Sequence, residues 1–144
     1  FTRLAEYLEE TKSFARKNGY TETFFGRRRH FAGIKSPIPY IRASAERMAI
    51  NAPIQGTQAD IIRIAMVRIA EELKKDEWKN DVFMLLQVHD ELLFEVPKGE
   101  LDRMVALVRE GMEAAYQLKV PLIVDVKAGV NWNDMEKLDV RRAA

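Results

Sequence analysis

The chain holds 144 residues, 47% of them hydrophobic and 31% charged, and no cysteine. Such proportions fit a soluble globular chain, long enough for one domain or a piece of a larger one. No apolar run approaches the ~18 residues that span a bilayer, and disulfides and thiolate metal sites are excluded. The net charge of +1 conceals an imbalance: residues 1–50 carry +5 and residues 51–144 carry −4. A basic half suits phosphates and an acidic half suits cations, although a plain solvated surface accounts for the imbalance equally well.

Leu4, Tyr7, Leu8, Thr11, Phe14 and Ala15 recur at helical spacing and predict a helix over residues 2–17. Asn18-Gly19 closes it, because both residues tolerate positive φ. Tyr20, Thr21, Thr23, Phe24 and Phe25 favour strand and Gly26 marks a turn, so residues 20–32 read as a hairpin. Arg27, Arg28 and Arg29 follow the turn, and Pro37 and Pro39 make a loop. Residues 42–74 are helical in pattern, with a kink or restart expected at Pro53-Ile54-Gln55-Gly56, since proline lacks an amide donor. Thr57 followed by Asp60 resembles a capping box for the restarted helix, which is expected to be buried from Ile61 to Leu73. Apolar strands over 82–88 and 91–96 flank His89-Asp90. An amphipathic helix follows over 99–118, with Leu101, Met104, Val105, Val108, Met112, Ala115 and Tyr116 on one face, and a last strand from Leu122 to Lys127. The pattern is α+β, with helices packed on an antiparallel sheet.

Three groups of residues could carry chemistry. Asp90 and Glu91 are adjacent carboxylates between apolar strands. In a straight strand they would point to opposite faces, whereas at a tight turn they can converge on one cation. Mg²⁺ takes such hard oxygen ligands, and a cation or a proton would relieve their mutual repulsion. A polar hairpin tip is the plainer account. Arg47, Asn51 and Gln55 are spaced by four and share one face of a helix. Their donors suit the acceptors of the DNA minor groove, or simply water. Arg27, Arg28 and Arg29, with His30 and Lys35 nearby, suit phosphates or local acids. His89 is open to acid–base, metal or hydrogen-bonding roles.

The stretch Glu46-Arg47-Met48-Ala49-Ile50-Asn51-Ala52-Pro53-Ile54-Gln55-Gly56-Thr57-Gln58-Ala59-Asp60 resembles the helix before the palm hairpin of family A DNA polymerases. Gln87 to Glu95 is similar to that family's Val-His-Asp-Glu hairpin. Gly19 to Thr23, Gly26 to Arg29, and Pro121 to Trp132 also resemble the family, so the likeness runs from about residue 1 to about 137. The resemblance implies a partial polymerase domain with a palm-type sheet and a catalytic hairpin. Residues 1–45 would be a fingers-to-palm segment, 46–137 a palm segment and 138–144 a tail. It implies that Asp90 is a catalytic metal ligand, that Glu91 belongs to the same centre, and that His89 lies at the primer terminus. Arg47, Asn51 and Gln55 would meet the minor groove, with Arg27, Arg28 and Arg29 also at DNA. The implied cofactor is Mg²⁺, as two ions, and the partners are primer–template DNA, deoxynucleoside triphosphates and the remainder of the polymerase chain. No membrane role is expected, and the compartment is the cytoplasm at the nucleoid.

The family's Asp-Tyr-Ser motif and its nucleotide-gripping fingers helix are absent from the sequence. The chain is therefore expected to be a fragment, inactive alone. A non-catalytic nucleic-acid-binding module and a metal-dependent hydrolase using His89, Asp90 and Glu91 are the competing readings.

Overall fold

The computed structural model of the chain describes residues 1–78 and 81–138. Helix α1 (Thr2–Asn18) leads into a hairpin of β1 (Tyr20–Glu22) and β2 (Arg28–His30), followed by helix α2 (Pro39–Leu73). A second hairpin pairs β3 (Phe83–Val88) with β4 (Glu91–Glu95). Helix α3 (Leu101–Glu113) comes next, then a short ladder of β5 (Lys127–Ala128) and β6 (Glu136–Lys137). The class is α+β, as expected. The strands form three separate two-stranded antiparallel sheets among the described residues, where one sheet was expected. Contacts group the chain into two units, Phe1–Asp60 and the residues from Ile61 onward. That division, like the expected segment boundary at 45/46, falls inside α2. The expected tail lies outside the described residues beyond Leu138.

In the first unit, α1 ends where its sequence signal falls. Gly19 takes φ 81°, and its amide bonds to the Ala15 carbonyl at 2.8 Å. The core gathers Ala15, Phe31, Ile34, Ala45, Ala49 and Ala52. The three alanines of α2 sit at helical spacing, so their small side chains leave room for Phe31 and Ile34. Arg16 and Glu46 add a surface ion pair at 2.7 Å.

The restart expected at Pro53 is not seen: α2 runs unbroken through it. Proline has no amide hydrogen to offer the Ala49 carbonyl, which weakens the helix at this turn. The β1–β2 hairpin engages the turns that follow. The Phe24 amide donates to Thr57 Oγ1 at 2.9 Å, and the Thr57 hydroxyl donates to the Pro53 carbonyl at 2.6 Å. Arg27 donates to the Gly56 carbonyl at 2.9 Å and pairs with Asp60 at 2.8 Å. Thr57 and Asp60 therefore act inside a helix and do not form a capping box. Gly56 permits the contact, since a Cβ there would lie 2.5 Å from Thr23 Cγ2.

In the second unit, Ile69, Trp78, Val82, Met104 and Val108 are buried together, with Met84, Leu92 and Phe94 packed against them. Only one face of the Ile61–Leu73 stretch is buried: Ile62, Ala65 and Ile69 are inside, while Arg63, Val67 and Arg68 are exposed. Helix α3 is shorter than its apolar pattern, which continues to Ala115 and Tyr116. Beyond it, Arg68 donates to the Ala114 carbonyl at 2.6 Å, and the Glu113 carboxylate accepts the Val124 amide at 3.0 Å. The strand expected over Leu122–Lys127 keeps the right alternation, with Leu122, Val124 and Val126 half-buried and Ile123 and Asp125 exposed. Its ladder partner is the obstacle: only Lys127 and Ala128 pair with another strand, and Val124 spends its amide on a side chain. Among the described residues no helix is long and apolar enough to cross a membrane.

Ile69 is 1% exposed and lies against Gly111, where a Cβ would sit 2.7 Å from Ile69 Cγ1. Ile69→Ala should cost ~2–5 kcal/mol through the cavity it opens, and Gly111→Ala ~1–3 kcal/mol through overpacking. The double variant should cost clearly less than the sum, because each change supplies what the other lacks. Equilibrium urea unfolding of the four proteins measures this; strict additivity would disprove the contact.

Candidate functional site

The β3–β4 hairpin closes with a two-residue turn. Val88 pairs with Glu91, leaving His89 and Asp90 as the turn itself. His89 carries φ 54°, in the left-handed region that favours glycine. The Gln87 side-chain amide donates to the His89 carbonyl at 2.6 Å and fastens the turn from the strand before it. That use of Gln87 was not anticipated from the sequence. Leu92 and Phe94 pack against the buried cluster of this unit and anchor one face of the hairpin along its length, while His89, Asp90 and Glu91 are exposed at its tip.

The tip brings the two carboxylates together as adjacent residues on a rigid support. Among the described residues no Lys or Arg forms an ion pair with either one. Hard, unpaired oxygen donors side by side fit an oxygen-seeking divalent cation such as Mg²⁺. They do not complete a centre: no group of three or more His, Cys, Asp or Glu could hold a metal among the described residues.

The second candidate group belongs to the first unit. Arg47, Asn51 and Gln55 are all exposed along α2, on the side away from the buried Ala45, Ala49 and Ala52. No hydrogen bond or ion pair engages their side chains among the described residues. The unbroken path of α2 through Pro53 keeps the three at one spacing on one face.

The arginine triplet divides into three environments. Arg27 is engaged with Asp60 and Gly56. Arg28 pairs with Glu22 at 2.7 Å and lies over the Tyr20 ring. Arg29 lies over the Phe31 ring and touches Met48 Sδ at 3.8 Å, with no carboxylate partner among the described residues. Gln55 and Arg29 also line one cleft of about 230 Å³, together with Thr21, Thr23 and Ala52. The Arg27–Asp60 pair was missed in the sequence because its members lie 33 residues apart and neither has a local signature.

The model of the family described as DNA polymerase family A matches residues 1–134. The chain belongs to DNA polymerase family A. DNA polymerase I of Caldicellulosiruptor bescii is 46% identical over 132 residues, covering 92% of this chain and 15% of that protein. DNA polymerase I of Mycobacterium leprae is 49% identical over 132 residues, covering 92% of this chain and 14% of that protein. Among solved structures, the POL domain of Pol1 from M. smegmatis, in complex with DNA primer-template and dNTP, is 48% identical, with a TM-score of 0.78. The match covers 85% of this chain and 21% of that one. This family A chain thus spans about one seventh of the length of the curated relatives it matches.

The turn geometry makes a prediction of its own. His89→Gly should keep or raise thermal stability, because glycine adopts φ 54° without a Cβ penalty. His89→Val should lower stability by ~1–3 kcal/mol, since a β-branched residue is strained there. Thermal unfolding followed by circular dichroism measures both, and equal melting of the two variants would argue against the left-handed turn.

Proposed function

We propose that this chain supplies part of the polymerising centre of a DNA-directed DNA polymerase, which joins deoxynucleotides to a primer 3′ end. The observation that carries the reading is the exposed Asp90–Glu91 tip, held on a fastened turn in a family A chain. The 48% identity to a POL domain solved with DNA primer-template and dNTP supports the choice of substrates. In the reaction the primer 3′-hydroxyl oxygen bonds to the α-phosphorus, the bond to pyrophosphate breaks, and the hydroxyl proton leaves. Asp90 and Glu91 would hold Mg²⁺, which supplies positive charge for the triphosphate and the attacking oxygen. Further ligands would come from the remainder of the polymerase. His89, the other residue of the turn, would lie at the primer end.

Arg47, Asn51 and Gln55 form the face that would meet the minor groove. Every base pair presents acceptors there, so fixed donors sense Watson–Crick shape without reading sequence. Arg29, free of a carboxylate, is the member of the triplet best placed to meet a phosphate. Arg28 would add to the same basic edge despite its pairing with Glu22. The working compartment would be the cytoplasm, at the nucleoid. The hydrolase reading finds no third ligand among the described residues.

The isolated chain should not extend primers, since Asp90 and Glu91 are too few ligands for two-ion chemistry. Mg²⁺-dependent incorporation by the purified chain, abolished by Asp90→Asn, would overturn that expectation. A chimera tests the positive claim: residues 1–134 replace the matching segment of the complete M. leprae polymerase. The chimera should extend primers, and Asp90→Asn in it should lower kcat by at least about a hundredfold while changing DNA affinity by less than about threefold. Loss of affinity and rate in equal measure would make Asp90 structural. On matched primer ends, Gln55→Ala should lower kcat/KM about fivefold, the worth of one hydrogen bond, with Arg47→Ala more severe. Mispaired ends should suffer less, since their groove acceptors are displaced.

A further inference from the structure

The β1–β2 hairpin touches α2 on the turns that follow Pro53, where its exposed donor face ends. Pro53, which lies between Asn51 and Gln55, leaves the Ala49 carbonyl without its helical amide donor. Four hydrogen-bonding contacts meet that turn and the next. The Phe24 amide reaches Thr57, the Thr57 hydroxyl reaches the Pro53 carbonyl, and Arg27 reaches both Gly56 and Asp60. The Asp60 side chain is only 12% exposed, whereas that of Arg27 is 47% exposed, so the acid is the sheltered member of the pair. The Thr23 methyl closes on Gly56, where no side chain larger than hydrogen fits without a shift. Arg27, also expected at DNA, uses its Nε and one Nη2 donor within the chain.

We propose that Arg27 and Asp60 are positioning residues for primer-end selection: their pair holds the Pro53–Asp60 turn helical and so fixes Gln55 in line with Asn51 and Arg47. The inference rests on the reading of that face as the minor-groove face. A hydrogen bond to a groove acceptor weakens steeply with misalignment, so a donor serves as a shape gauge only if its backbone is held. A helix interior containing proline does not hold it alone. The fork of Arg27 suits the task because one guanidinium bonds a carboxylate and a backbone carbonyl at once. Lysine at this position could satisfy only one of them well.

The test is a double-mutant cycle in the chimera, read as selectivity: kcat/KM on a matched primer end divided by that on a mispaired end. Gln55→Ala alone should lower selectivity about fourfold, the fivefold loss on matched ends being only slightly offset by a small loss on mispaired ones. Asp60→Asn and Arg27→Ala should each lower it about threefold with Gln55 present, and by less than about 1.5-fold in the Gln55→Ala background, because interactions sharing one path are non-additive. Arg27→Lys, the milder variant, should fall between parent and Arg27→Ala, and it serves as the measurement if Asp60→Asn proves unfolded by circular dichroism. A pair that merely stabilised the fold would lower the rate on both primers alike and leave the ratio unchanged. Parental selectivity in Asp60→Asn and Arg27→Lys, or equal losses in both backgrounds, overturns the proposal. Parental selectivity in Gln55→Ala instead removes the groove reading beneath it, and the two failures are thereby distinguished.

Discussion

A proline in the interior of a 35-residue helix is the constraint around which the first unit is arranged. Its missing amide and the crowding of the carbonyl one turn earlier usually bend or end a helix, at ~3 kcal/mol or more. Here the turn is supported laterally by a hairpin whose own chemistry suits the task. Thr23 accepts the Phe25 and Arg27 amides within the loop, so the loop is ordered before it meets the helix. Thr57 is both donor and acceptor, linking the proline carbonyl to the hairpin's Phe24 amide. The exposed donors of α2 sit on the helix that this hairpin engages, so contacts made on one side of α2 bear on the residues displayed along the other.

The acidic tip follows a different logic. Its position is set by burial of one face of the hairpin, where Met84 and Phe94 at the base and Leu92 beside the turn join the core of the second unit. Between base and tip, a bulge at Leu85 separates the Met84–Phe94 pairing from Leu86–Leu93. A bulge adds twist and re-aims the residues beyond it. The remaining freedom is removed by the Gln87 bond to the His89 carbonyl. Two carboxylates are thus held as neighbours without a cationic partner among the described residues. His89 holds the left-handed conformation that the two-residue turn requires.

The sequence was legible wherever the signal was local. Gly19 stopped α1, the two-residue turn fell on His89-Asp90, and the apolar positions of α3 named its buried face. Misreadings arose where a distant partner overruled a local rule. Pro53 and the Thr57–Asp60 pair looked like a break and a cap, yet a hairpin some thirty residues earlier keeps the helix whole. The Leu122–Lys127 stretch had the alternation of a strand, but alternation cannot supply a neighbour. The candidate residues themselves were visible through family motifs. What those motifs left undivided was the arginine triplet, whose members face an aspartate, a glutamate and a phenylalanine ring.

The alanine seam of α2 carries an evolutionary consequence. Ala45, Ala49 and Ala52 are almost wholly buried against Phe31 and Ile34. Any larger side chain there must push apart a close-packed interior. The only smaller one, glycine, loosens a helix by about 1 kcal/mol per site. A change in either direction along this line therefore carries a cost, in packing or in the helix. Change enters at least cost as paired events, with an enlargement on α2 matched by a trimming of Phe31 or Ile34, so these positions should diversify far more slowly than the exposed residues one helical step away.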